Sequence, residues 1–207
     1  MLTRIKGGRI VDPVHGRDAI GDLWIEDGHV VEPPADARSD ETIDANGCVV
    51  MAGGIDVHSH IASGNVILSR LLLPEYAVAE APSPDLYPFA AIRRSAAEVG
   101  CTYARMGYTT VIEPALAPTQ ALTTHLELAD IPLIDRGALS VLGNDDLLLS
   151  LLRERESPQA INDLVALTLA TSRGLGVKVI NAGGAVAFKE GATKFDLDDE
   201  VPSYGLT

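Results

Sequence analysis

Aromatic residues are scarce, at 4% of 207 residues, with one tryptophan and three phenylalanines. A platform for stacked bases needs more of them. Positive charge is also short: 16 Lys and Arg stand against 29 Asp and Glu, a net charge of −13. A surface of that sign repels phosphate and argues against nucleic acid as the main partner. There are two cysteines, Cys48 and Cys101, far apart and in no metal-ligand spacing. They read as reduced thiols rather than a disulfide or a zinc knuckle. No apolar run is long enough to span a bilayer. The opening "MLTRIKGGRIVDP" lacks the apolar core and cleavage site of a signal peptide. A cytoplasmic protein is expected.

What is present falls into two textures. Residues 1–50 carry short β-type runs separated by turns. "TRIKGGRIVDP" ends at Asp12-Pro13, and "AIGDLWIEDGHVVEP" folds back at Asp27-Gly28, a strong hairpin signal. "DETIDANGCVVMAGG" adds one or two more strands. Part of a small β-sandwich is the expected fold of this segment.

Beyond it, residues 51–207 alternate between apolar strands and helical stretches. A strand runs into "GGIDVHSH". An Ala-rich helix is expected over about 89–106, then a strand around 108–113 in "YTTVIEPAL". Helical spacing returns in "PTQALTTHLELAD" and strand character in "IPLIDRGAL". "NDDLLLSLLRERE" opens a helix with Asn144 or Asp145 as its cap. "SPQAINDLVALTLATSRGLG" is a longer one, with Ser157 as cap, Pro158 in the first turn and Gly174 near its end. "GVKVINAGG" is a fourth strand followed by a glycine loop. This order makes an α/β fold of about four parallel βα units, or half of a (β/α)8 barrel. A doubly wound open sheet has the right strand count, but no G-x-G-x-x-G follows its first strand.

Two of the five histidines stand one residue apart in "IDVHSH". Alternate residues of a strand share a face, so Asp56, His58 and His60 are expected on one side. Imidazoles spaced about 6–7 Å along a strand can converge on one divalent metal. Asp56 could hold a ligand from behind as a hydrogen-bond acceptor. An H-x-H pair alone is a weak signal. Its position at the C-terminal end of a barrel strand, where barrel active sites lie, strengthens it.

Lys178, on the fourth strand, is expected to face the barrel interior. It snorkels or pairs with a carboxylate, or else it reacts as a free amine with CO2 to give an anionic carbamate. Glu113-Pro114 is a candidate for the mouth of the site, or else an exposed acid at a strand end. Gly183 and Gly184 permit close backbone approach to a ligand, or simply make a turn. His15, His29 and His125 read as structural or surface residues. "RERE" at 153–156 reads as a solvated helix face.

"GGIDVHSHIASGNV", "RLLLPE", "GYTTVIEPALAP", "LIDRGALSVLGND" and "GVKVINAGG…FDLDDEVPSYGLT" together resemble the amidohydrolase superfamily. Within it they resemble the group holding the A subunits of formylmethanofuran dehydrogenase and of the formyltransferase/hydrolase complex of one-carbon metabolism. The resemblance runs over essentially the whole chain. It implies a β-sandwich built from both chain ends around a (β/α)8 barrel, and a binuclear metal centre, usually zinc. His58, His60 and Lys178 as N6-carboxylysine are the implied ligands, with Asp56 behind them. The implied reaction is hydrolysis of the N-formyl group of formyl-methanofuran or formyl-methylofuran to formate and amine, or the reverse condensation. The implied partners are the furan cofactor and other subunits of a hetero-oligomer. The remaining ligands and the catalytic aspartate of that group fall beyond Thr207, so the sequence is expected to be an N-terminal portion that is inactive alone. A cyclic amidase of the dihydroorotase or hydantoinase kind shares H-x-H and the lysine. A non-catalytic scaffold is the alternative from another class.

Overall fold

The computed structural model describes residues 1–33, 36–72 and 89–207. The chain divides into two compact units, Met1–Gly53 and Gly54–Thr207.

The first unit is one five-stranded mixed sheet. Strands β1 (Leu2–Asp12), β2 (Arg17–Glu26) and β3 (His29–Val31) pair antiparallel. Strands β4 (Glu41–Asp44) and β5 (Val49–Val50) both lie parallel to β1. The Asp27-Gly28 turn has both residues at positive φ, 49° and 80°, the backbone a two-residue hairpin needs. Between Ile5 and Gly8 the β1–β2 register shifts. Gly7, at φ 74°, occupies that bulge and donates its N–H to Asp22 Oδ1 at 2.9 Å. Cross-strand ion pairs lace the same sheet. Hydrogen bonds from Arg4 and Arg9 hold the Asp22 and Asp18 carboxyls below the usual carboxylate range.

The second unit is α/β. Its four strands form a parallel sheet in the order β6 (Gly54–Asp56), β7 (Tyr108–Leu116), β8 (Asp135–Val141), β9 (Gly176–Lys178). This is the parallel half-barrel that the alternating sequence texture implies. The connecting helices are α1 (Gly64–Leu72), α2 (Phe89–Arg105), α3 (Ala121–Ala129), α4 (Asp146–Arg153) and α5 (Pro158–Ser172); α6 (Gly184–Lys189) follows β9. Asp145 caps α4 by accepting from Leu148 N at 3.0 Å, and Ser157 caps α5 by accepting from Ala160 N at 3.2 Å. At the far end of α5 the left-handed residue is Arg173, φ 54°, rather than Gly174. No helix among the described residues is long and apolar enough to cross a membrane.

The core of this unit lies between the sheet and the helices. Val111, Leu116 and Ala138 from the strands meet Ile61, Ala62, Ala96, Leu128, Ile131 and Ile134. Gly100 marks the closest approach of α2, because a Cβ there would lie 2.1 Å from the Pro132 carbonyl oxygen. Gly100→Ala is therefore expected to destabilise by about 1–3 kcal/mol, the usual cost of overpacking. Chemical denaturation checks this, and an unchanged midpoint would show that α2 can move aside.

Candidate metal centre

Three segments meet at the C-terminal end of the parallel sheet. The first is the loop after β6. The strand stops at Asp56, so His58 and His60 are not strand residues, and alternation along a strand does not place them. A turn does so instead. Asp56 Oδ1 accepts from His58 N at 3.0 Å, while Ser59 N returns to Ile112 O on β7 at 3.1 Å. The two imidazoles nevertheless lie close, with ring centroids 5.8 Å apart and planes at 89°.

Asp56 does not reach either imidazole. Its other oxygen accepts from the Tyr103 hydroxyl of α2 at 3.2 Å, and Tyr103 also bonds Ser59 Oγ. Asp56 thus shapes the loop through its backbone. Tyr103, 47 residues away in sequence, is a support that sequence reasoning missed.

The second segment is the end of β7. Glu113 is fully buried, at 0% exposure, rather than an exposed strand-end acid. Its Oε1 lies 3.0 Å from His60 Nδ1 and accepts from Ala115 N at 2.9 Å. Its Oε2 accepts from Ile61 N at 2.9 Å and Ala62 N at 3.0 Å. A signal for it existed in the sequence. Glu113 shares strand parity with Val111, so an acid stands at a core position of an apolar run.

The third segment is β9. Lys178 Nζ lies 3.0 Å from His58 Nδ1 across 120 residues of sequence. The lysine is only partly buried, against the expectation of a core position. Its strand is three residues long and ends the order of the sheet, so no further strand covers it among the described residues. Beyond it, Gly183 N donates to Gly143 O at 2.7 Å and Ala185 N to Asn144 Oδ1 at 2.9 Å. The glycine loop and the "LGND" turn are thereby tied together. Residues 73–75 of "RLLLPE" lie outside the described residues.

The histidines read as structural behave so. His15 pairs with Asp12, His29 bonds Asp27 O, and His125 Nε2 bonds Ser172 O at 2.8 Å.

The donor set suits a divalent metal. His60 Nδ1 faces Glu113 and His58 Nδ1 faces Lys178, each at 3.0 Å, so among the described residues Nε2 is the nitrogen each ring has left for a ligand. An ammonium at Lys178 would donate to His58 Nδ1 and leave the proton on Nε2, so His58 offers that lone pair only beside an uncharged or modified lysine. Among the described residues no group of three His, Cys, Asp or Glu converges to complete such a site. The two imidazoles and Lys178 are the candidate ligands that come together here.

The sequence profile of the Amidohydrolase family matches residues 41–206. The chain belongs to the amidohydrolase family. Among the family's characterised members, the chain is 66% identical to the A subunit of the formyltransferase/hydrolase complex Fhc of Methylorubrum extorquens. That alignment takes in 100% of this chain and 37% of the relative. It is 37% identical to Protein FwdA of Methanocaldococcus jannaschii, over 98% of this chain and 36% of the relative. The crystal structure of the M. extorquens FhcABCD complex with methylofuran contains a chain that matches with a TM-score of 0.88 and 66% identity. That match takes in 100% of this chain and 38% of that one. This amidohydrolase sequence therefore spans little more than a third of the length of these relatives.

Proposed function

We propose that this chain is part of the A subunit of a formyl-hydrolysing complex of one-carbon metabolism, contributing half of its zinc centre. The observation that carries the proposal is the meeting of His58, His60 and Lys178 at one end of a parallel half-barrel. The full-chain similarity to a chain of the FhcABCD complex, whose structure holds methylofuran, supports an N-formyl furfurylamine such as formyl-methylofuran or formyl-methanofuran as the substrate class. The products are formate and the free amine. Flux in the reverse, condensing direction uses the same site.

In this reading His58 and His60 would hold a zinc ion, each by the ring nitrogen not turned to a protein partner. Lys178, as its carbamate, would add an anionic oxygen ligand to the same centre. Zinc bound there supplies Lewis acidity toward the formyl oxygen and lowers the pKa of water. The chain's own residues hold and orient: Glu113 fixes one imidazole, and Asp56 and Tyr103 shape the loop that carries both. Four more barrel strands would complete the (β/α)8 closure, carrying the remaining ligands and the catalytic base. The five-stranded sheet of the first unit is one layer of a sandwich. The assembly is a cytoplasmic hetero-oligomer.

The test is zinc content and formyl-methylofuran hydrolysis in the native assembly, with hydantoin as the competing substrate. His58→Ala and His60→Ala are each expected to lower zinc occupancy and to cut turnover by at least about 100-fold, the upper range for loss of an outer partner alone. Zinc-free wild-type enzyme with full activity, or preferred turnover of hydantoin, would defeat the proposal.

A further inference from the structure

The Glu113 carboxylate carries more than one job, and the way the chain places it shows which. Pro114 has no N–H, so β7 leaves its ladder with β8 there. The register breaks between Glu113 and Leu116. The freed Ala115 N–H turns back to Glu113 Oε1 at 2.9 Å. The side chain is thereby held from its own strand. Its second oxygen then receives two successive amides, Ile61 and Ala62, immediately after His60. One buried carboxylate thus grips the backbone following His60 and the ring of His60 itself.

An ionised carboxylate only accepts hydrogen bonds. With three backbone N–H donors already on its oxygens, the contact to His60 is satisfied when Nδ1 carries the proton. That leaves the Nε2 lone pair for a ligand. A carboxylate behind a metal-bound imidazole sets tautomer and ring angle, and its loss costs about 10–100-fold in metal affinity.

We infer that Glu113 is a positioning residue of the zinc centre, selecting the Nδ1–H form of His60 and aiming its Nε2 at the metal. This inference rests on the zinc reading above. A purely structural role would be different. Holding only the loop backbone would affect unfolding temperature and leave the imidazole proton and the affinity of folded protein unchanged.

The experiment compares wild type and Glu113→Gln in the native assembly. Zinc affinity is measured by competition with a chelator, well below the unfolding temperature. The variant is expected to bind zinc about 10–100-fold more weakly. In parallel, solid-state 15N spectra of the histidine-labelled, zinc-free wild type report the ring proton. The His60 signal is assigned by its loss in His60→Gln. Read at alkaline pH, where the ring carries a single proton, that proton on Nδ1 supports the inference, and the proton on Nε2 overturns it even if the glutamine variant does not fold. Equal zinc affinity in wild type and folded variant overturns it as well, while leaving the zinc reading intact. A wild type that binds no zinc removes the zinc reading and this inference together.

Discussion

Lys178→Ala is expected to abolish assembly of the two-zinc form and to reduce formyl hydrolysis by at least about 100-fold, beyond the range for a supporting partner. The position of the amine is the reason. Nζ stands 3.0 Å from His58 Nδ1 and is only partly buried, so it is open to a small electrophile from solvent. Carbamate formation joins the neutral amine nitrogen to the carbon of CO2 and releases one proton. Counted from the ammonium, which must first lose a proton of its own, the change is from cation to anion, the charge that the proposed two-zinc site would need beside it. Zinc reconstitution of the native apoenzyme should therefore run faster with added bicarbonate. Intact mass should show one added CO2, lost in Lys178→Ala. Reconstitution that ignores bicarbonate, together with an unmodified lysine in fully active enzyme, would remove the carbamate from the mechanism.

The second large effect concerns the 207 residues expressed alone, which are expected to give no formyl hydrolysis and to self-associate. Strands β6 and β9 are the two ends of the parallel sheet. Beside them Ile55 and Val57 are 64% and 65% exposed, and Val179 and Ile180 are each 59% exposed. Full burial of such a side chain is worth up to about 1.5–3 kcal/mol. Four left open are a large sum against the 5–15 kcal/mol or so that holds a typical domain together. Open strand edges also offer unpaired N–H and C=O groups to another chain. Sedimentation and dye binding measure the association, and a formyl-methylofuran assay measures turnover. A monodisperse, cooperatively unfolding and active product would contradict both expectations.

The sequence carried the parallel alternation well, because β-branched runs and helix caps are local signals. Strands β7 and β8 and helix α5 announce themselves through "TTVI", "IDRGAL" and Ser157-Pro158. Helix α1 went unread because it follows a motif dominated by turn residues. Helix α6 went unread because six residues after two glycines carry too little periodicity. The candidate metal-site histidines are legible as residues but not as geometry. A turn held by Asp56 does what strand alternation was expected to do. Glu113 and Tyr103 were harder still, since each acts on a partner more than 40 residues away. Long-range hydrogen bonds leave almost no local trace. An acid at core parity is the one clue that was available.

The double grip of Glu113 on Ile61 and Ala62 has a kinetic consequence. Neither of these two hydrogen bonds opens until a fully buried carboxyl has given up a partner, and that carboxyl also holds the ring of His60. Opening of the loop at these amides therefore also loosens the hold on the His60 ring. The deuterium uptake of these two amides then becomes a clock for the motion that would let a metal ion in or out.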